Sequence, residues 1–139
     1  MNQWASFFYA RFFIYWFAAF LILYASSFLL FGAFAVTRAP MLYFALQVHS
    51  PLILLVFSYL YFRHAARTDW SARIITAIVW IVLTILLSAV LIKPVYGFDW
   101  IAAINLRVLN SHWIDIAAII IGGFLAAPSR PSVSEGRVL

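Results

Sequence analysis

The sequence predicts an all-α membrane protein, with four transmembrane helices in an up-down antiparallel bundle and both termini in the cytoplasm. Hydrophobic residues make up 67% of the 139 positions and charged residues only 9%, and the mean hydropathy is +1.04. A soluble domain carries roughly a quarter charged residues, so water alone could not solvate this surface. The apolar residues fall into long runs. Aromatic residues, 19% of the chain, gather near the ends of those runs, as they do at membrane interfaces.

Three long apolar runs account for the first three predicted spans. The first covers residues 12–36 without a charge. It is longer than the core of a signal peptide, roughly 7–15 residues, which favours an uncleaved span. The second covers residues 41–62. The third covers residues 74–92 and ends before Lys93 and Pro94, a charge followed by a helix breaker. Each run is near or above the about 20 residues that a helix needs to cross a bilayer.

The fourth predicted span, residues 100–127, is interrupted by polar residues in its first half. Only residues 116–127 are uninterrupted apolar sequence, which is too short to cross a bilayer alone. Residues 100–115 must therefore supply the rest of the span, or the segment only dips into the membrane. On this basis residues 1–127 form a single four-helix transmembrane domain. Residues 128–139, rich in Pro, Ser and Gly, are predicted to form a disordered cytoplasmic tail.

The distribution of basic residues favours four spans over three. Four spans put six arginines on one side of the membrane and one arginine and one lysine on the other, with Arg107 left inside the last span. Three spans put Arg107 and the tail on the opposite side, so that the nine basic residues divide four against five. Because positive charge resists translocation, the more uneven division is expected, with the basic side in the cytoplasm. The chain is therefore expected to be a multi-pass protein of the cytoplasmic (inner) membrane. The six are Arg11, Arg63, Arg67, Arg73, Arg130 and Arg137, and the opposite pair is Arg38 and Lys93.

Small residues mark the expected contacts between helices, because helices in lipid associate through close packing. Two sets are present, one repeating every seven residues in the first span and one repeating every four in the fourth. They are Ala18, Ala25 and Gly32, and Ala118, Gly122 and Ala126.

A polar stripe lies within the fourth predicted span. At about 100° per residue, five polar residues fall within roughly 160° of one another. His112 and Asp115 are three positions apart and can share a hydrogen bond, and His112 lies about 18 Å from the start of the span. An unpaired charge at that depth is costly, so the stripe is expected to face the other helices. The five residues are Asn105, Arg107, Ser111, His112 and Asp115.

The second span supplies the expected partners of this stripe. His49 lies near mid-depth, and Pro51 removes a backbone donor and frees a carbonyl near Gln47. Gln47 and His49 point about 160° apart, so both cannot face one centre. The predicted intramembrane cluster, centred on His112, Asp115, Arg107 and His49, comprises Gln47, His49, Asn105, Arg107, Ser111, His112 and Asp115.

Three functions are compatible with such a cluster. The first is a non-enzymatic accessory protein or subunit of a membrane complex, in which the polar groups bond one another and specify how the helices pack. The second is a b-type haem protein for electron transfer, with His49 and His112 as axial ligands of haem b. The third is proton or anion transport through an oligomer, because intramembrane His, Asp and Arg residues relay protons or pair with anions.

Other functional classes have less support in the sequence. No HExxH motif, paired-carboxylate motif or nucleophile elbow is present, so an enzyme is less favoured and no metal site is predicted. The absence of cysteine excludes disulfides and thiolate ligands. The arginines form no basic face, so the expected partners are the lipid bilayer and a membrane protein or second copy, not nucleic acid. Arg63, Arg67 and Arg73, in and beside the loop after the second span, are expected to contact anionic headgroups.

Overall fold

All regular secondary structure in the described part of the chain is helical. The computed structural model describes residues 10–65, 68–97 and 106–126. Residues 100–105 of the fourth predicted span and the predicted tail, 128–139, lie outside these ranges. The prediction of an all-helical chain is confirmed. The helices are α1 (Ala10–Thr37), α2 (Pro40–Arg63), α3 (Trp70–Tyr96), α4 (Leu106–Ser111) and α5 (Trp113–Leu125).

Helices α1, α2 and α3 are each long and apolar enough to cross a membrane. They contain the predicted spans 12–36, 41–62 and 74–92 and extend beyond them at both ends. The extensions arise because polar and aromatic residues at the interface, such as Arg63 and Trp70, continue the helical backbone. By length and composition, these three helices make the chain a multi-pass membrane protein.

The described part of the last predicted span is divided between two helices. α4 ends at Ser111 and α5 begins at Trp113, with His112 in a turn at φ −94° and ψ 13°. Ser111 Oγ donates to the carbonyl of Val108 at 2.6 Å, a bond that competes with the helical ladder. The 13 residues of α5 rise about 20 Å, less than the roughly 30 Å of hydrocarbon. Within the described ranges, three helices rather than the predicted four therefore reach spanning length.

A two-residue connection, Arg38 and Ala39, joins α1 to α2. Arg38 adopts a left-handed φ of 56°, and its backbone N–H donates to the carbonyl of Phe34 at 2.8 Å. A left-handed residue commonly ends a helix in this way, although glycine is the usual choice. Pro40 begins α2, where its missing N–H costs no hydrogen bond and its fixed φ suits the first turn.

Helix α2 packs between α1 and α5. Its contacts with α1 run in opposite order along the two helices. The ring pair Phe12–Tyr61 lies near the start of α1, and the ring pair Phe34–Tyr43 lies near its end. Early residues of α1 therefore meet late residues of α2.

Helix α5 packs against both α2 and α3. Its small residues Ala118 and Gly122 are buried, and a Cβ on Gly122 would meet Ser58 Oγ and the backbone carbonyl of Leu55 on α2. The predicted close-packing face of the fourth span is therefore confirmed. The absence of a side chain at Gly122 lets the two backbones approach closely.

The buried core lies in the half of the helices near Arg63 and Trp70. Trp80 on α3 is fully buried, and its ring lies 6.0 Å from that of Phe12 and 5.7 Å from that of Tyr61. Such angled ring pairs add to the dispersion energy of the core. This aromatic cluster joins α1, α2 and α3 at one end of the molecule.

The half of α1 near Arg38 is apolar and exposed. Phe28, Leu29, Phe31 and Val36 are between 65% and 86% exposed. A continuous exposed apolar face of this kind is typical of a surface that meets lipid or another membrane protein.

Candidate functional site

The carboxylate of Asp115 connects α5 to α2 and to the turn between α4 and α5. Asp115 is only 8% exposed. Its Oδ1 accepts a hydrogen bond from Ser50 Oγ at 2.9 Å, and its Oδ2 accepts one from His112 Nδ1 at 2.8 Å. Both carboxylate oxygens therefore have donors from within the chain.

Asp115 lies in the first turn of α5, next to the start of that helix. His112 is the N-cap residue of α5, and Asp115 follows it by three positions. A carboxylate in the first turn interacts favourably with the helix dipole. Because a carboxylate accepts and does not donate, Nδ1 of His112 carries the proton of this bond. The His112 side chain is 29% exposed, so the pair lies at the margin of the packed interior.

His49 belongs to a separate polar network between α1 and α2. Its Nδ1 donates to the carbonyl of Leu46 at 2.8 Å, and its Nε2 lies 2.8 Å from Ser27 Oγ. With the proton on Nδ1, a neutral imidazole accepts the Ser27 hydroxyl at Nε2. Both ring nitrogens of His49 are therefore occupied.

The other predicted cluster residues lie outside these two networks. Gln47 is exposed on α2, and no hydrogen bond from its side chain is found within the described part of the chain. Arg107 and Ser111 are exposed on α4, and Ser111 bonds its own helix at Val108. Asn105 lies outside the described residues.

Ser50 and Ser27 are the site residues that sequence reasoning missed. Ser50 follows His49 and precedes Pro51, so its position in a polar stretch was visible, but nothing in the sequence links it to Asp115. Ser27 lies in a long apolar run and has no local polar neighbour except Ser26. Both contacts depend on how the helices are aligned with one another.

The three predicted headgroup arginines are in different environments. Arg63 is exposed at the end of α2, and Arg67 lies outside the described residues. Arg73, in contrast, is only 6% exposed. Its guanidinium carbon lies 4.5 Å from the centre of the Phe124 ring and 5.8 Å from that of Trp70.

The arrangement is suited to holding helices together through satisfied polar groups. Among the described residues, no group of three or more His, Cys, Asp or Glu side chains is placed to hold a metal ion. Ligation of haem by Nε2 of His49 would first require the bond to Ser27 to break. The haem and transport hypotheses remain predictions.

Comparison of the chain with protein-family models, with curated proteins and with solved structures finds no match.

Proposed function

We propose that the chain is a non-enzymatic subunit of a membrane complex, and that its neighbour in the complex is a second copy of the same chain. The protein crosses the cytoplasmic membrane four times as an up-down antiparallel bundle, with both termini in the cytoplasm. The six-against-two division of basic residues supports this topology, because arginine and lysine accumulate on the cytoplasmic side.

The closed polar networks support a structural role for the buried groups. The two oxygens of Asp115 and the two ring nitrogens of His49 all have partners within the chain. Polar groups that satisfy one another across helices stabilise one packing arrangement in a membrane. The intramembrane polar cluster of the subunit is thus the set Ser50, His112 and Asp115, together with the pair Ser27 and His49.

Gln47 is the observation that carries the proposal. Its amide is exposed on α2, about 10 Å along the helix from Pro40, and it has no hydrogen bond within the described part of the chain. An amide at that depth would face hydrocarbon, where an unsatisfied polar group costs several kcal/mol. A neighbouring transmembrane helix with a polar side chain removes this cost.

Gln47 lies on the same face of α2 that α5 covers nearer the end of α2. Leu54 and Ser58 lie within about 40° of Gln47 around the helix, and both are buried. Because α5 begins at Trp113, it does not cover Gln47 or the 57% exposed ring of Tyr43. The exposed surface at Tyr43 and Gln47 is therefore continuous with the face of α2 that contacts α5.

A second copy of the chain can supply the hydrogen-bond partner that the Gln47 amide lacks. A glutamine amide has donors and an acceptor, so two identical amides related by a two-fold axis can bond each other. Such a pair requires no other polar residue on the neighbour.

Disulfide cross-linking in native membranes tests the proposal directly, because the chain has no cysteine. We expect Gln47→Cys to form a disulfide-linked dimer under mild oxidation, since a two-fold pair brings the two positions together. Phe28→Cys is the matched control, because Phe28 is 77% exposed but lies on α1 and not on α2. The product is measured by its mass on a non-reducing gel.

The outcomes separate a second copy from other neighbours. A dimer from Gln47→Cys and little from Phe28→Cys supports the proposal. Equal yields would indicate random collisions. A product of another mass would identify a different protein as the neighbour, and monomer alone would contradict a two-fold contact at Gln47.

A further inference from the structure

Arg73 is a charged residue that the packing of three helices encloses. It lies in the first turn of α3, three positions after Trp70, and only 6% of its surface is exposed. A Cβ on Gly123 of α5 would lie 3.2 Å from Arg73 Cγ and 2.8 Å from the ring of Phe62 at the end of α2. The stem of Arg73 therefore fills the space between α2, α3 and α5.

The guanidinium of Arg73 lies against aromatic rings and forms no ion pair with a carboxylate of the described residues. The ring of Phe124 lies 4.5 Å and that of Trp70 5.8 Å from its central carbon. No ion pair between Arg73 and a carboxylate is found in the described ranges, and its Nε is buried without a hydrogen-bond partner. Ring faces stabilise a cation, but they leave most of its N–H donors unsatisfied. Within the described residues, Nε of Arg73 therefore has no acceptor, and no carboxylate is ion-paired with the guanidinium.

The location of Arg73 indicates which acceptor is available. The first turn of α3 lies at the end of a helix of spanning length and contains the 57% exposed ring of Trp70. The exposed residues Arg63 and His64 end α2, the preceding helix in the chain. Lipid phosphates are present at this depth. A guanidinium presents paired N–H donors that match the oxygens of a phosphate, and basic sites between transmembrane helices bind anionic headgroups.

We propose that Arg73, whose guanidinium lies against the rings of Phe124 and Trp70, binds the phosphate of an anionic phospholipid headgroup. A lipid with net negative charge is favoured over a zwitterionic one, because the latter carries its own cation next to the phosphate. This inference is independent of the contact at Gln47, which lies in the other half of α2.

Lipid-dependent thermal stability of the full chain tests this site. The protein is placed in nanodiscs of phosphatidylcholine, with and without phosphatidylglycerol, and its unfolding is followed by circular dichroism. We expect phosphatidylglycerol to raise the midpoint of the wild type by about 3 °C, as a ligand that binds only the folded state does. Arg73→Gln should lose this rise.

Matched variants distinguish a specific site from general attraction to an anionic surface. Arg11→Gln removes an exposed charge near the same end of the molecule, because the adjacent Phe12 contacts Tyr61, and it should retain the full rise. Arg73→Lys keeps the charge but loses the paired donors, so it should retain only part of the rise. It also provides a folded comparison if Arg73→Gln does not fold.

Three results would overturn the inference. In the first, Arg11→Gln loses as much of the rise as Arg73→Gln, which indicates attraction without a site. In the second, inorganic phosphate in phosphatidylcholine discs produces the same rise, which identifies a free anion as the ligand. In the third, Glu135→Gln lowers stability in both lipids as Arg73→Gln does, which identifies a carboxylate of the chain itself as the partner.

Discussion

A single carboxylate joins two helices and a turn in this protein. Asp115 accepts one bond from Ser50 on α2 and one from His112 at the start of its own helix. Hydrogen bonds to a charged group contribute more than neutral ones, but bonds between helices in membranes average only about 0.6 kcal/mol, because the unfolded state in lipid also finds partners. The effect of Asp115 on stability is therefore expected to be real but modest.

The substitution Asp115→Asn measures this contribution. It leaves one oxygen to accept from Ser50, and its NH₂ group can donate to Nδ1 of His112 only after the imidazole changes tautomer. A neutral bond then replaces one to a charged group, so we expect a loss of about 1 kcal/mol in the free energy of unfolding. Ser111→Ala is the control, since its hydroxyl is exposed and bonds its own helix. Unfolding in mixed micelles, followed by circular dichroism, gives both values. Equal stabilities of the two variants would show that the carboxylate does not hold the helices.

Residue contacts within one helix could be predicted, whereas contacts between helices could not. The hydrogen bond from His112 to Asp115 follows from their spacing of three, which fixes their relative rotation on any helical turn. The bond from Ser50 to Asp115 depends on the axial alignment of α2 and α5, which spacing does not determine. Ser27 could not be predicted as the partner of His49 for the same reason, because that contact depends on the alignment of α1 with α2.

At the scale of the helices, glycine decides how closely α5 approaches α2. A Cβ on Gly122 would lie 2.5 Å from the carbonyl oxygen of Leu55, and a backbone atom cannot move aside as a side chain can. In contrast, a Cβ on Gly32 of α1 would have nothing within 4 Å. Both glycines belong to regularly spaced sets of small residues, but only one of the two is in a close contact within this chain.

The substitutions Gly122→Ala and Gly32→Ala form a matched pair. We expect Gly122→Ala to lower the free energy of unfolding by about 2 kcal/mol, because overpacking forces the two helices apart. Gly32→Ala should be neutral or slightly stabilising, because alanine favours the helix. Thermal unfolding of both variants in the same detergent measures the difference. A similar loss in both would mean that the cost arises from the helix itself and not from the contact with α2.

Spacing of small residues predicts a face that can pack, but it does not show whether a partner is present. Ala118 and Gly122 are buried as their spacing predicts. Ala25 and Gly32 are exposed, although Ala19 beside the same seam is fully buried. The difference arises because α1 meets the other helices mainly in the half that contains Phe12 and Trp16.

At the scale of the whole molecule, three described helices have spanning length, and the turn at His112 divides the last predicted span. The first three spans could be predicted because each is a long run of apolar residues. The helices of the last predicted span could not be predicted in this way, because its first half carries polar residues that permit the turn at His112. The proposal of four spans depends on the division of basic residues, a property of the loops rather than of the helices.

Labelling of single cysteines tests the four-span topology. In intact cells, we expect an impermeant maleimide to label Arg38→Cys but neither Ser71→Cys nor Leu139→Cys, because the proposed topology puts the last two on the cytoplasmic side. All three should react after the membrane is opened, which serves as the control for reactivity. Labelling of Leu139→Cys in intact cells would show that the last segment does not cross.

The short connection at Arg38 and Ala39 has a consequence for biogenesis. Two residues reach only about 7 Å, so neither α1 nor α2 can be moved far from the other while the chain is inserted. In the proposed topology, no soluble loop has to be translocated between the two helices, and the guanidinium of Arg38 is the only charge that crosses with the pair. The insertion machinery therefore receives the first two helices as one hairpin, already turned by the left-handed backbone of Arg38.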